Sequence, residues 1–285
     1  MTINEEFRSR LTAIFRPLDR TAGGSFPPAA TLSHSLKDFT PRRGATSRGI
    51  APALAGRFGT AAVDIWLRSV HSFLVSASLT EVSPIWASVS GYYSSHYAVR
   101  GFAHLLGYFY FFNGQKIVRL EPGSRGYTCS FAPKPTGTSS GGEHQLYWAL
   151  VKQDSTFTDD PLFTYNKQGK DESDSGHRNY ANYIDHLSKY PTFRPLDKDV
   201  IKDRIDRISK MVPEDTPIPR LGKFPDVEYV QIVAYRRIVA FRQVLDEVLG
   251  QGNRLWTVNR NPPFAMEFMN FQLAETEGLL QPNRP

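Results

Sequence analysis

His96, Arg100 and His104 stand at intervals of four in the apolar, aromatic stretch SGYYSSHYAVRGFAHLLGYFYFFNGQK, residues 90–116. On a helix the three would share one face. Imidazoles beside a guanidinium suit proton transfer next to an anion. They do not suit a metal ion, because Arg100 would stand between the two histidine ligands and repel it. The structural alternative is that all three lie within a buried helix, hydrogen-bonded to neighbouring helices or to a dimer partner.

A second set recurs at the same interval. In HRNYANYIDH, residues 177–186, Arg178, Asn182 and His186 would share a helix face, with Asn179 and Tyr183 beside them. The structural alternative here is an exposed helix that begins at Arg178 and Asn179, with His186 paired to Asp185. Other candidates are weaker. Ser139-Ser140-Gly141-Gly142 lacks the lysine of a phosphate loop, and the acids Asp159, Asp160, Asp171, Glu172 and Asp174 suit solvated surface as well as a divalent cation. Cys129 has no activating neighbour in sequence and suits a small buried hydrophobe.

These side chains need elements to position them. Ser83-Pro84 is a helix start, and Gly107 is placed to end a helix running from Pro84 to Leu106. Asn113-Gly114 between YFYFF and QKIVRL predicts a hairpin, and GYTCSF after the Glu121-Pro122-Gly123 turn predicts a third strand. A small β-meander is therefore expected at about 108–132. Upstream, Phe7, Leu11, Ile14 and Phe15 predict a short amphipathic helix over residues 4–16 that Pro17 ends, followed by a Gly-, Pro- and Arg-rich arm to residue 59. AAVDIWLRSVHSFLVSASL from Ala61 predicts a core helix. HQLYWALVKQ, residues 144–153, suits helix or strand. HRNYANYIDHLSKY, DKDVIKDRIDRISKMV and DVEYVQIVAYRRIVAFRQVLDEVLG predict later helices, the last capped by Asp226 and stopped by Gly250. The expected division is an N-terminal helix and arm over 1–59, and a helical-bundle domain over 60–285 carrying the β insertion.

Composition bounds the function. At 285 residues, 40% hydrophobic and 22% charged, the chain can bury a full core. One cysteine leaves no internal disulfide and no cysteine-built zinc site, and with no leader-like start a reducing cytoplasm is the expected home. The longest apolar run, Val99 to Phe112, is broken by Arg100, His104 and two glycines, so no membrane span is expected. The net charge of +6 is almost all N-terminal, with nine Lys or Arg against four acids in residues 1–60. That front end, with Arg42 and Arg43, and the long helix with Arg236 and Arg237, offer nucleic-acid contacts or solvated ion-pair surfaces.

The stretch YYSSHYAVRGFAHLLGY resembles the HEPN superfamily of small helical bundles. The likeness lies in paired Tyr92-Tyr93, a small-residue step, His96, then Ala98-Val99-Arg100 and an apolar run ending at Gly107. It implies a mainly α fold, an HEPN-like antiparallel helical bundle with the β-meander inserted. Many members are metal-independent ribonucleases whose motif is an arginine, a polar residue, and a histidine after four to six intervening residues. His177-Arg178-Asn179 matches the arginine and its polar neighbour. Seven residues separate Arg178 from His186, and Tyr183 stands after four.

The resemblance implies Arg178 as phosphate clamp, Asn179 as orienting donor and His186 as acid or base, with no cofactor or metal. It also implies a homodimer with facing sites. The expectation is an endoribonuclease acting on RNA in a toxin or antiviral defence setting. Two alternatives stand beside it: a catalytically degenerate module that binds nucleotide, nucleic acid or a partner protein, and a structural subunit of a larger complex.

Overall fold

The computed structural model describes residues 5–20, 47–50, 52–111, 116–123, 126–133, 143–154 and 227–249, with the single positions Pro135, Phe157, Phe163, Asp203, Arg207 and Ile208. Of the described residues 74% are helical. The helices are α1 (Glu5–Arg20), α2 (Pro52–Leu79), α3 (Pro84–Leu105), α4 (Glu143–Gln153) and α5 (Val227–Leu249). The strands are β1 (Ser47–Ile50), β2 (Tyr108–Phe111), β3 (Lys116–Gly123) and β4 (Gly126–Ala132), in one antiparallel sheet of order β1-β4-β3-β2. None of the described helices is long and apolar enough to cross a membrane.

The chain forms two compact units. The first comprises Met1–Ile65, Val99–Asp159 and Arg242–Asn261, and the second Trp66–Ala98, Asp160–Phe241 and Pro262–Pro285. Within the first unit, β2, β3 and β4 form the expected meander, with Phe111 opposite Lys116 at one connection and Gly123 opposite Gly126 at the other. Val118, Leu120 and Cys129, which the register places on one sheet face, are buried, and so is Ile117 on the other face. α3 enters this sheet through Gly107, whose φ of +86° is open to glycine and strained for other residues. Its carbonyl accepts the Leu120 N–H at 2.8 Å, and a Cβ there would collide with the Leu120 carbonyl. The helix tip and the middle of β3 are therefore locked together.

α1 joins the same unit through an aromatic chain. Phe7 and Leu11 are buried; Phe7 meets Phe157 edge-on at 5.4 Å, and Phe157 meets Phe102 at 5.4 Å. At its rim Arg10 bonds Glu6 at 2.8 Å and lies 3.6 Å from Asp154, while Arg8 pairs with Glu247.

The second unit is helical among its described residues, drawing on α2, α3 and α5. α2 and α3 run antiparallel: Ser69 Oγ donates to the Ser94 carbonyl at 2.7 Å, Ser94 Oγ donates to the Ser69 carbonyl at 2.8 Å, and Ser76 Oγ donates to the Ala87 carbonyl at 2.6 Å. Serine and glycine let the backbones approach. A Cβ on Gly91 would lie 2.8 Å from Val230 Cγ1 and 3.1 Å from Ser76 Oγ, so α5 sits directly over this glycine. Trp66 ties α2 to α5 by donating Nε1–H to the Ile238 carbonyl at 3.0 Å and stacking on Phe241.

Several expectations need correction. α1 continues through Pro17 to Arg20; a proline removes one N–H and crowds one carbonyl, but it does not always end a helix. The arm expected over 17–59 gives way to β1, held by pairing with β4, and to α2, which begins at Pro52 rather than near residue 60. Pro122 does not make a turn: Glu121, Pro122 and Gly123 complete β3, with Pro122 opposite Tyr127. HQLYWALVKQ is helical, within α4. The helices expected at HRNYANYIDHLSKY and DKDVIKDRIDRISKMV, and the caps Asp226 and Gly250, lie outside the described residues.

Candidate functional site

α3 carries the histidines because its sequence permits close packing on several sides: small residues at Ala87, Ser94, Ser95 and Ala98 alternate with large ones, and all four are buried. His96 is 2% exposed. It stacks on Tyr92 at 6.3 Å and 10° and lies 5.8 Å from Tyr97, all within the second unit. Arg100 and His104 belong to the first unit.

His104 is held on three sides. Its ring stacks on Phe109 at 4.2 Å and 19°, meets Tyr147 edge-on at 5.6 Å, and places Nδ1 3.0 Å from the Tyr108 carbonyl. That contact selects the neutral tautomer with the proton on Nδ1, which donates to the carbonyl. Burial holds its pKa well below the usual histidine range; Arg100 lowers it further, and the Tyr108 contact opposes them in part. Arg100 lies over the Tyr147 ring at 5.1 Å, a cation–π contact. A neutral, enclosed imidazole of this kind fixes the corner where α3 turns into β2. The position suits structure better than proton exchange with a substrate.

The second unit carries a buried polar seam. Gln231 Nε2 donates to Ser76 Oγ at 3.0 Å and to Thr80 Oγ1 at 2.7 Å, while Thr80 Oγ1 donates to the Ser76 carbonyl at 3.1 Å. Further along α5, Arg237 is fully buried and donates to Ser95 Oγ. The side chain of Arg237 thus points into the helical interior, whereas Arg236, turned about 100° around the helix, is half-buried. Arg178, Asn179, Asn182, Tyr183 and His186, together with Arg42 and Arg43, lie outside the described residues.

Cys129 is buried on β4, and burial pushes its thiol up to about 12. It is a core side chain rather than a nucleophile. Among the described residues no group of three or more His, Cys, Asp or Glu could hold a metal ion.

One surface feature escaped the sequence reading. Trp86, near the start of α3, is 60% exposed and is the only exposed large hydrophobic among the described residues. Ser90, Tyr93 and Tyr97 are half-buried on the same stripe, where the residues around them are buried. The spacing 86, 90, 93, 97 alternates four and three, and could have been found in the sequence as a second face of the histidine helix. Comparison with protein-family models, curated proteins and solved structures finds no match.

Proposed function

We propose that this protein is an HEPN-like, metal-independent endoribonuclease of the bacterial toxin or antiviral-defence type, cytoplasmic and homodimeric, with Arg178, Asn179 and His186 as its catalytic residues. One observation carries the reading. The segment with the family likeness forms a single helix, α3, with His96 and His104 buried. Its polar groups serve packing, and the RNA chemistry falls to HRNYANYIDH.

In that chemistry His186 takes the proton of a ribose 2′-hydroxyl, and the 2′-oxygen attacks the adjacent phosphorus. The bond from phosphorus to the 5′-oxygen breaks, leaving a 2′,3′-cyclic phosphate and a 5′-hydroxyl that regains a proton. Arg178 stabilises the extra negative charge on the phosphorane through its planar donor fork, and Asn179 orients an oxygen.

The test is incubation of purified protein with RNA in chelator, beside Arg178→Ala and His186→Ala. Cleavage to cyclic-phosphate ends by the wild type, lost in both variants, is expected. Absence of cleavage by the wild type, or equal cleavage by all three, overturns the assignment. Tyr183, at the position where the motif would hold histidine, favours a second reading: a binding module that retains RNA or nucleotide affinity without cleaving. In that case the wild type binds and leaves the RNA intact.

A further inference from the structure

We infer that α1 is a displaceable strap on the first unit, and that its seat accepts a second basic helix of the same pattern in its place. Everything that forms the seat belongs to that unit. The floor is aromatic: Phe157 meets Phe7 at 5.4 Å and also meets Phe102 at 5.4 Å, so its ring keeps a partner when α1 leaves. The walls are acidic. Arg8 pairs with Glu247 on α5, and Arg10 lies 3.6 Å from Asp154, which follows α4. At about 100° per residue, Phe7 and Leu11 form one stripe of α1 while Arg8 and Arg10 fall on its two flanks. The two acids therefore hold the stripe from opposite sides.

The hold is narrow. Of residues 5–12 only Phe7 and Leu11 are buried, and among the described residues no backbone hydrogen bond joins α1 to another element. The sheet, by contrast, is tied by its ladders and by the bond from Leu120 to the Gly107 carbonyl. Segments with few buried contacts open first. A helix of 16 residues is marginal by itself in water, so α1 unwinds when it leaves, and its docking and folding are one step. Residues 21–46 separate α1 from β1, a length of chain that lets the strap go without pulling on the sheet. The pattern selects the occupant. A helix with Phe and Leu four apart and an arginine on either flank matches an aromatic floor between two carboxylates. An acidic helix would set its charges against Glu247 and against Asp154, whose side chain is only 13% exposed, so the seat discriminates by charge as well as by shape. The strap does not depend on the RNA chemistry proposed above.

Hydrogen exchange of the full wild-type chain tests the strap without any variant. Residues 5–12 are expected to exchange faster than α3 and α5, and faster still in about 1 M than in about 0.05 M sodium chloride, because salt screens the exposed Arg8–Glu247 pair. Protection of α1 equal to that of α3 and α5 at both salt concentrations makes it a fixed part of the core and overturns the inference. Phe7→Ala should speed exchange of residues 5–12 by about tenfold or more and leave α3 and α5 unchanged. An equal loss of protection in all three helices overturns it as well. Exchange of the occupant is read with a fluorescent peptide of residues 5–20. It is expected to bind the Phe7→Ala chain at least about tenfold more tightly than the wild-type chain, whose seat is filled, and to bind neither when its own phenylalanine is changed to alanine. A peptide that binds both chains equally, or neither, shows that the seat does not accept a second helix.

Discussion

The amide of Gln231 on α5 donates to Thr80 Oγ1 at 2.7 Å, joining α5 to the turn that follows α2, about 150 residues away in sequence. The same nitrogen reaches Ser76 Oγ at 3.0 Å, and all three side chains are buried. Replacing Gln231 with leucine strands two buried hydroxyls as acceptors. A loss of about 1–3 kcal/mol is expected in urea unfolding. Ser76→Ala together with Gln231→Leu should lose less than the sum of the single losses, because the two share one network. Strict additivity would mean that the amide contributes nothing through Ser76.

His104 should make the fold acid-sensitive. Its folded pKa lies well below the usual value because of burial first and Arg100 second, whereas the unfolded chain titrates near ~6.5. Above that pH neither state is protonated and the group has no pH effect. As the pH falls through ~6.5 the unfolded state gains a proton that the folded state refuses, and stability drops until the folded pKa is reached. His104→Gln keeps a donor for the Tyr108 carbonyl and removes the titration. Its melting temperature should fall less steeply than the wild type's between about pH 7 and 5. Parallel slopes would show that His104 is not the responsible group.

Gly91 sets the distance between α3 and α5. Alanine favours helix by about 1 kcal/mol over glycine, but its Cβ would overlap Val230, a stiff β-branched side chain, and overpacking costs about 1–3 kcal/mol. Gly91→Ala is expected to be destabilising by about 1 kcal/mol, and Gly91→Ala with Val230→Ala to recover part of that loss. Thermal unfolding of the two variants beside Val230→Ala alone decides it.

Cys129 reports on the sheet. It is buried between Arg48 on β1 and Leu120 on β3 in register, and its thiol is pushed up to about 12. Alkylating reagents at pH 8 should leave the folded protein unlabelled and modify it within the unfolding transition. Being the chain's only cysteine, it gives a single-site readout. Rapid labelling under native conditions would mean that the β1 edge opens independently.

The features legible in the sequence were those fixed by local chemistry. Ser83-Pro84 and Gly107 bracket α3 because a proline at a first turn and a glycine at positive φ leave few alternatives. Asn113-Gly114 located the β2–β3 connection through turn geometry. β1 was not legible: SRGI has no alternation, and its strand conformation comes from pairing with residues 127–130. Pro52 was a usable start for α2, hidden by the Gly- and Pro-rich composition before it.

The candidate site divided in the same way. The four-residue rhythm of His96, Arg100 and His104 is real as helix geometry, but periodicity is blind to which face is covered. Arg237 illustrates the limit: beside Arg236 it has the pattern of a surface cation, and the fold buries it against the hydroxyl of Ser95, distant in sequence. Trp86 is the opposite case, a large ring that composition assigns to the core and the fold leaves outside.

α2, α3 and α5 each contribute to both compact units. No single cut of the chain separates one unit from the other, and each lacks a helix until residues 227–249 have been made. A ribosome still synthesising this protein therefore holds a chain in which neither core is closed, and folding waits for the last of the described helices to emerge. An activity built on either unit would stay silent until residues 227–249 have been made.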